Sequence, residues 1–360
     1  KMRNALRLRD LLTLAQSSAW CAARETHNEV IARLSAQARL TESIYQVHST
    51  SHPRVVSAVR TLNMLVNGVA NELNAISSLL TQNYIDQYHR ELLKAEGRYA
   101  TAMTSVVDIL QELTFEDTKD TKTCEALETV VRADVGTLLL LRNQLQAHAA
   151  KLENLPKSRQ KTPSGVVQTS CSLRELVLDA TRDVSTLASH AAENIPEFVL
   201  GQGLEDLPKV IAVPHQLSHT LLELLKNATS AHLRTNQCDV PISIDFQPNA
   251  LVITDSGGGF SESDPIQTLA RLKPGRRYDR TDDQTSYAAV SDPLAGFSIG
   301  LFVARVHAEH FQPNALTLTT YHGQDSIPRG AVATIRLLNN LDAIENLPDI
   351  ESARERLLSI

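Results

Sequence analysis

A chain of 360 residues with 35 basic and 41 acidic side chains carries a formal charge of −6, which gives no electrostatic case for a nucleic-acid partner. Its four cysteines (Cys21, Cys124, Cys171 and Cys238) show no CxxC spacing, which argues against a structural zinc or a disulfide framework. No apolar run approaches the roughly 20 residues that span a bilayer; the nearest, Val135 to Leu141, is stopped by Arg142.

The first 25 residues set Lys1, Arg3, Arg7 and Arg9 among Leu6, Leu8, Leu11 and Leu12, with Asp10 the only acid before Glu25. A basic amphipathic start predicts either a mitochondrial transit segment over 1–25 or the ordinary first helix of the folded domain. Residues 1–155 contain one proline, Pro53, and three glycines, so long helices are expected. Val55, Val59, Leu62, Val66, Val69, Leu73, Ile76 and Leu80 recur at helical spacing, and Leu127, Val131, Leu138, Leu141, Leu145 and Leu152 form a second stripe. A third helical stretch is expected over Ile85–Leu113, with a charged loop over Phe115–Thr123. These predict a helical bundle over 26–155.

Pro156 to Ser170, with its lysines, prolines and Gly165, reads as a linker. Over 171–340 the punctuation changes. A helix from Leu173 to Ala192 gives way to β-branched runs at Val210–Val213, Ile242–Phe246, Leu251–Thr254, Leu316–Thr320 and Val332–Leu337, with helices between. That pattern predicts a sheet with helices on one face. The charged stretch 341–360 is expected as a surface helix or mobile tail. The fold class is therefore multidomain, α followed by α+β.

The chemistry concentrates in the second half. Glu223, Lys226 and Asn227 lie within one turn of an apolar helical run from Leu217 to Leu233, with Glu223 and Asn227 four apart on one face. Asp255 ends a strand-like run and is followed by Ser256 and the glycines Gly257, Gly258 and Gly259, which suit a backbone that a flat base must approach closely. A third segment runs Pro293-Leu-Ala-Gly296-Phe297-Ser298-Ile299-Gly300-Leu301 into a helix. Glycines before a helix start offer free amides and a dipole end to phosphate. Each alone is weak: Glu-x-x-Lys-Asn is a common exposed helix face, and Asp-Ser-Gly-Gly-Gly could be a loose turn. In this order they read as a nucleotide pocket.

The three motifs resemble those of the GHKL superfamily of ATPases and kinases. With Val213-Pro214-His215-Gln-Leu-Ser-His219 leading into the helix, they resemble in particular the mitochondrial 2-oxoacid dehydrogenase kinases, the pyruvate and branched-chain types. His52-Pro53-Arg54-Val55 and Leu141-Arg142 to His148 are fainter matches in the helical half. The resemblance implies a GHKL-type α/β sandwich that binds ATP and Mg²⁺. It also implies a protein serine kinase of the mitochondrial matrix that phosphorylates and inactivates the decarboxylase subunit of a 2-oxoacid dehydrogenase complex. Docking on the lipoyl-bearing core and a homodimer follow from the same source. Glu223 would be the catalytic base, Asn227 the magnesium ligand and Lys226 a phosphate partner. Asp255, Gly257 and Gly259 would hold adenine, while Gly296, Phe297, Ser298, Ile299, Gly300 and Leu301 would close on the phosphates. The stretch from Arg271 to Thr285 would stand in for a nucleotide lid. Several positions depart from the family: Ser298 replaces a glycine, Ser230 an arginine and Ala331 a threonine, and the histidine expected to pair with the base falls near Tyr99. They leave open an alternative, a catalytically impaired ATP-binding regulator or scaffold of such a complex.

Overall fold

A computed structural model describes residues 5–17, 19–51, 53–81, 84–113, 118–152, 165–201, 209–261, 264–272, 299–322 and 328–359. The chain divides into two compact units. The first is helical, built mainly from residues up to 167 and from 342 onward; the second, over most of 168–341, contains a mixed sheet.

The helical unit contains α1 (Leu8–Gln16), α2 (Ala19–His48), α3 (Pro53–Thr81), α4 (Ile85–Tyr99), α5 (Ala102–Glu112) and α6 (Thr118–Leu152). The stripe read along α3 is the buried one: Val55, Val59, Leu62, Val66, Val69, Leu73 and Leu80 all lie in the core. Two sequence expectations need correction. The stretch Ile85–Leu113 is two helices, parted at Ala100 and Thr101. The expected charged loop Phe115–Thr123 is helical from Thr118, because Thr123 and Cys124 are already buried in the first turns of α6.

The amphipathic start is packed into this unit. Leu8, Leu11 and Ala15 are buried, and Asn143 Nδ2 donates to the Leu11 carbonyl at 3.1 Å. The closing segment returns to the same unit rather than forming a mobile tail. The Leu8 amide donates to the Ala343 carbonyl (3.0 Å) and the Glu345 amide to the Leu6 carbonyl (2.9 Å). Arg33, on α2, clamps the Glu345 carboxylate through both terminal guanidinium nitrogens (3.1 and 2.7 Å) and holds Glu29 at 2.9 Å. The Glu345 side chain is wholly buried, so its removal would leave the buried Arg33 with Glu29 alone and two guanidinium nitrogens short of their acceptor, at a cost of about 3 kcal/mol. A final helix, α11 (Ile350–Leu358), follows and buries Ile350, Ala353 and Leu357.

In the second unit, β1 (Gln168–Cys171) pairs antiparallel with β3 (Val210–Ala212). β2 (Phe198–Leu200), β4 (Ile242–Gln247), β5 (Ala250–Thr254), β6 (Leu316–His322) and β7 (Pro328–Arg336) form a sheet in the order β2-β4-β5-β7-β6. Among the described strands only β2 and β4 run parallel. The β4–β5 hairpin turns through Asn249, whose φ of 60° lies in the left-handed region that asparagine tolerates. Two long helices, α7 (Leu173–Ser189) and α8 (Pro214–Thr235), share one core with the sheet: Val177, Val184, Leu221 and Leu225 pack with Ile244 and Ile253. β5 sits centrally, so whatever follows Thr254 is held by both neighbours. β1 and β2 are absent from the sequence expectations because they are 4 and 3 residues long and show no run of alternation.

The helical core buries Asp134, an acid whose ionisation its surroundings oppose. Tyr99 and Asp134 are fully buried; the Tyr99 hydroxyl contacts both the Asp134 carboxylate and the Gln37 side-chain oxygen, and Gln37 in turn donates to Thr137 at 3.1 Å. One hydroxyl hydrogen cannot serve two acceptors at once, so Asp134 and Gln37 share the single Tyr99 donor and the buried carboxylate is under-satisfied. Burial pushes the Asp134 carboxyl up to about 7 from 3.8, against the lowering effect of the Tyr99 bond. An acid whose pKa is raised by folding binds the proton more tightly when folded, so its contribution to stability falls as pH rises from about 4 to 7. Asp134→Asn, which mimics the protonated form, is expected to stabilise the chain at pH 8 by on the order of a few kcal/mol, a gain that shrinks towards pH 4. Denaturant unfolding across that range checks it.

Candidate functional site

The site is built on α8. Val213 leads in with extended backbone, Pro214 takes the first turn where no amide is needed, and Asn236 (φ 54°) ends the helix in a left-handed cap. Between them Leu221, Leu224, Leu225 and Ala228 are buried in the core, while Glu223, Lys226 and Asn227 lie along another side.

Glu223 and Lys226 are joined by an ion pair of 2.8 Å, and their side chains are 11 % and 13 % exposed. Asn227 is exposed beside them. Glu223 also meets the start of another helix, α10 (Gly300–Glu309), which has no side-chain cap; the short α9 (Pro265–Thr268) precedes it. A Cβ placed on Gly300 would stand 2.1 Å from Glu223 Oε2, so the carboxylate lies directly against the Gly300 backbone. A helix N-terminus favours a negative charge at that spot. The same two helices are tied by the Thr220 hydroxyl, which donates to the Gln216 carbonyl (2.9 Å) and reaches the Ala304 carbonyl at 3.3 Å.

One turn before Glu223 stands His219, with the His307 ring of α10 edge-on to it at 5.0 Å. Burial lowers the His219 pKa; the Glu223 carboxylate partly opposes this and Lys226 reinforces it. The imidazole beside Glu223 is therefore biased towards its neutral form.

Asp255 leaves the end of β5 and is buried. Its Oδ1 accepts from the amides of Gly257 (2.8 Å) and Ala331 (3.3 Å), and its own amide donates to the Ala331 carbonyl at 3.0 Å. Burial raises its pKa, opposed by those two amides. One oxygen is braced by the protein; Oδ2 makes no hydrogen bond among the described residues and is available as an acceptor. Ala331, where the family resemblance calls for threonine, supplies these contacts through its backbone.

The glycines after Asp255 divide the geometric work. A side chain on Gly257 would collide with Ala231 of α8, its Cβ 2.3 Å from that methyl carbon, so glycine lets the strand end touch the helix. Gly258 and Gly259 take φ values of 92° and 71°, where L-residues are strained. The outcome is that the helix with Glu223, Lys226 and Asn227, the Asp255 loop and the start of α10 with Ile299, Gly300 and Leu301 lie in one unit around one core. Gly296, Phe297 and Ser298, and most of the Arg271–Thr285 stretch expected as a nucleotide lid, lie outside the described residues.

Two contributors were not legible in the sequence. Gly330 passes under the loop so closely that an added Cβ would lie 1.8 Å from the Asp255 carbonyl oxygen. His232, fully buried on α8, accepts from the Ser256 amide (2.7 Å). Gly330 precedes Ala331 in the last stretch of the family resemblance, but only strand pairing shows that it lies beside Asp255. In the sequence His232 is one more position in a helical run.

No family model matches the chain. Among curated proteins it is similar to human pyruvate dehydrogenase (acetyl-transferring) kinase isozyme 1, mitochondrial, at 25 % identity over 233 residues, covering 62 % of this chain and 51 % of the relative. It is also similar to isozyme 4 of Ictidomys tridecemlineatus, at 23 % identity over 282 residues (74 % and 65 %), and to human isozyme 4, at 28 % over 197 residues (51 % and 45 %). The chain thus spans about half the length of the human relatives it matches.

Gly330→Ala tests the tightness of the Asp255 loop. The obstructing atoms are the Asp255 backbone, which cannot rotate away, and the Tyr321 ring. Unfolding in urea is expected to show a loss of roughly 1–3 kcal/mol, the usual cost of overpacking.

Proposed function

We propose, from its similarity to the mitochondrial pyruvate dehydrogenase kinases, that the chain is a distant member of that family and an ATP-dependent protein serine kinase acting on a 2-oxoacid dehydrogenase complex. The observation that carries the reading is the union of a largely buried Glu223–Lys226 pair with a one-sidedly braced Asp255 across a glycine contact only a tight loop can make.

In this proposal Asp255 Oδ2 accepts a hydrogen from the exocyclic amine of adenine, and the Gly257–Gly259 backbone lies against the ring. The triphosphate extends along α8 towards the N-terminus of α10, where the first amides and the helix dipole meet its charge. Lys226 turns from Glu223 to the phosphates. Asn227 offers an exposed amide oxygen, a hard donor of the kind Mg²⁺ accepts while keeping phosphate and water ligands, so the residues present fit that ion. When bound, magnesium supplies charge neutralisation to the phosphates. Glu223 takes the proton from a serine hydroxyl as its oxygen bonds to the γ-phosphorus and the bond to ADP breaks.

The target in this reading is the decarboxylase subunit of the pyruvate or branched-chain complex, which phosphorylation inactivates. The helical unit docks on the lipoyl-bearing core, the kinase works as a homodimer, and the setting is the mitochondrial matrix. These assignments rest on the family resemblance. Among the described residues no helix is long and apolar enough to cross a membrane.

The assay is transfer of labelled phosphate from Mg-ATP to serine in pyruvate and branched-chain dehydrogenase complexes. The wild-type chain is expected to label one of them, and Glu223→Gln to slow transfer by about 100-fold or more, the scale of a lost general base. ATP uptake without transfer to either complex would instead favour the impaired regulator suggested by Ser230, Ser298 and Ala331.

A further inference from the structure

The geometry points to His232 as a positioning residue for nucleotide binding: its imidazole fixes the backbone of the Asp255 loop to α8. The inference rests on the nucleotide reading of this pocket and adds to it a residue that never touches the ligand.

The amides of the loop find different acceptors. The Asp255 N–H donates to the Ala331 carbonyl at 3.0 Å, the Gly257 N–H to Asp255 Oδ1 at 2.8 Å, and the Gly258 N–H to the Arg329 carbonyl at 3.3 Å. The Ser256 amide, between them, donates instead to a side-chain nitrogen, His232 Nε2, at 2.7 Å, the shortest of the four. His232 is wholly buried, so water does not replace that acceptor.

The other ring nitrogen settles which tautomer does this. Nδ1 stands 3.1 Å from the Gln237 carbonyl, which can only accept, so the hydrogen resides on Nδ1 and Nε2 carries the lone pair. Gln237 lies just past the left-handed cap of α8, and its own amide donates to the His232 carbonyl at 3.0 Å. His232 therefore bridges the end of the helix to the loop through both nitrogens. Glycines such as Gly258 and Gly259 give the chain little intrinsic stiffness, so an external tie helps hold the loop backbone whose Gly257 amide braces Asp255. The Ser256 hydroxyl, 3.0 Å from the Tyr321 hydroxyl, adds another tie.

Two variants of the full chain separate positioning from simple folding. His232→Leu fills the space without an acceptor; His232→Gln can place an oxygen near the Nε2 position. Hydrogen exchange in nucleotide-free protein is read over 255–259 and over β5 and α7, and ATP and ADP binding are followed by calorimetry. The expected result is exchange about tenfold faster at 255–259 in His232→Leu with β5 and α7 unchanged, and nucleotide affinity about tenfold weaker, the scale of one buried hydrogen bond left unmade. His232→Gln is expected to recover most of both. If His232→Leu matches wild type in loop exchange and affinity, or if His232→Gln fares no better than leucine, the assignment of His232 fails while the pocket stands. If the wild-type chain takes up no adenine nucleotide, the nucleotide reading and this inference fall together.

Discussion

The close contact between Gly257 and Ala231 is the constraint on which the candidate site depends. It brings the loop after the central strand against a helix with only the Ala231 methyl between them, and any Cβ at 257 would force the two apart. With that contact made, the acid at the end of β5 and the polar side of α8 belong to one wall of the site. Gly330 repeats the logic from the neighbouring strand, since its missing side chain admits the Asp255 carbonyl. Such positions tolerate little, because interiors packed to native density transmit a misplaced methylene rather than absorb it.

The charges around that contact are arranged asymmetrically. Asp255 has one oxygen fixed by two amides and the other without a hydrogen bond among the described residues, so its direction is set while its acceptor capacity is kept. Glu223 sits against a helix start and holds Lys226, so both charges stay satisfied while largely buried. A polyphosphate entering there would compete for Lys226 and leave Glu223 to the helix end and to the neutral-leaning His219. These arrangements suit phosphoryl transfer, in which positioning and charge neutralisation carry most of the catalysis.

The helical unit is held together differently. Its apolar stripes are long and regular, but its polar interior is specific: Arg33 with Glu29 and Glu345, and Tyr99 with Gln37 and Asp134. The Arg33 clamp draws residues 343–345 beside residues 6–8, so segments far apart along the chain become neighbours. Removing one partner of such a buried pair is far costlier than never having had it.

The sequence by itself determined the helical stripe of α3, the runs that became β4, β5 and β6, and the placing of Glu223, Lys226 and Asn227 on a helix and Asp255 at a strand end, because periodicity and glycine punctuation are local properties. It equally implied that the first half is helical and that a sheet follows, and the structure has both. It could not reveal the short strands β1 and β2, whose existence rests on a partner rather than on their own pattern. Nor could it place the segment after 341, whose charged residues read as solvent-bound until Arg33 is seen to bury Glu345. His232 and Gly330 gained their roles only from tertiary structure. A hydrogen bond between residues 24 apart, or a backbone approach across strands, is decided by how elements pack, and no local spacing encodes it.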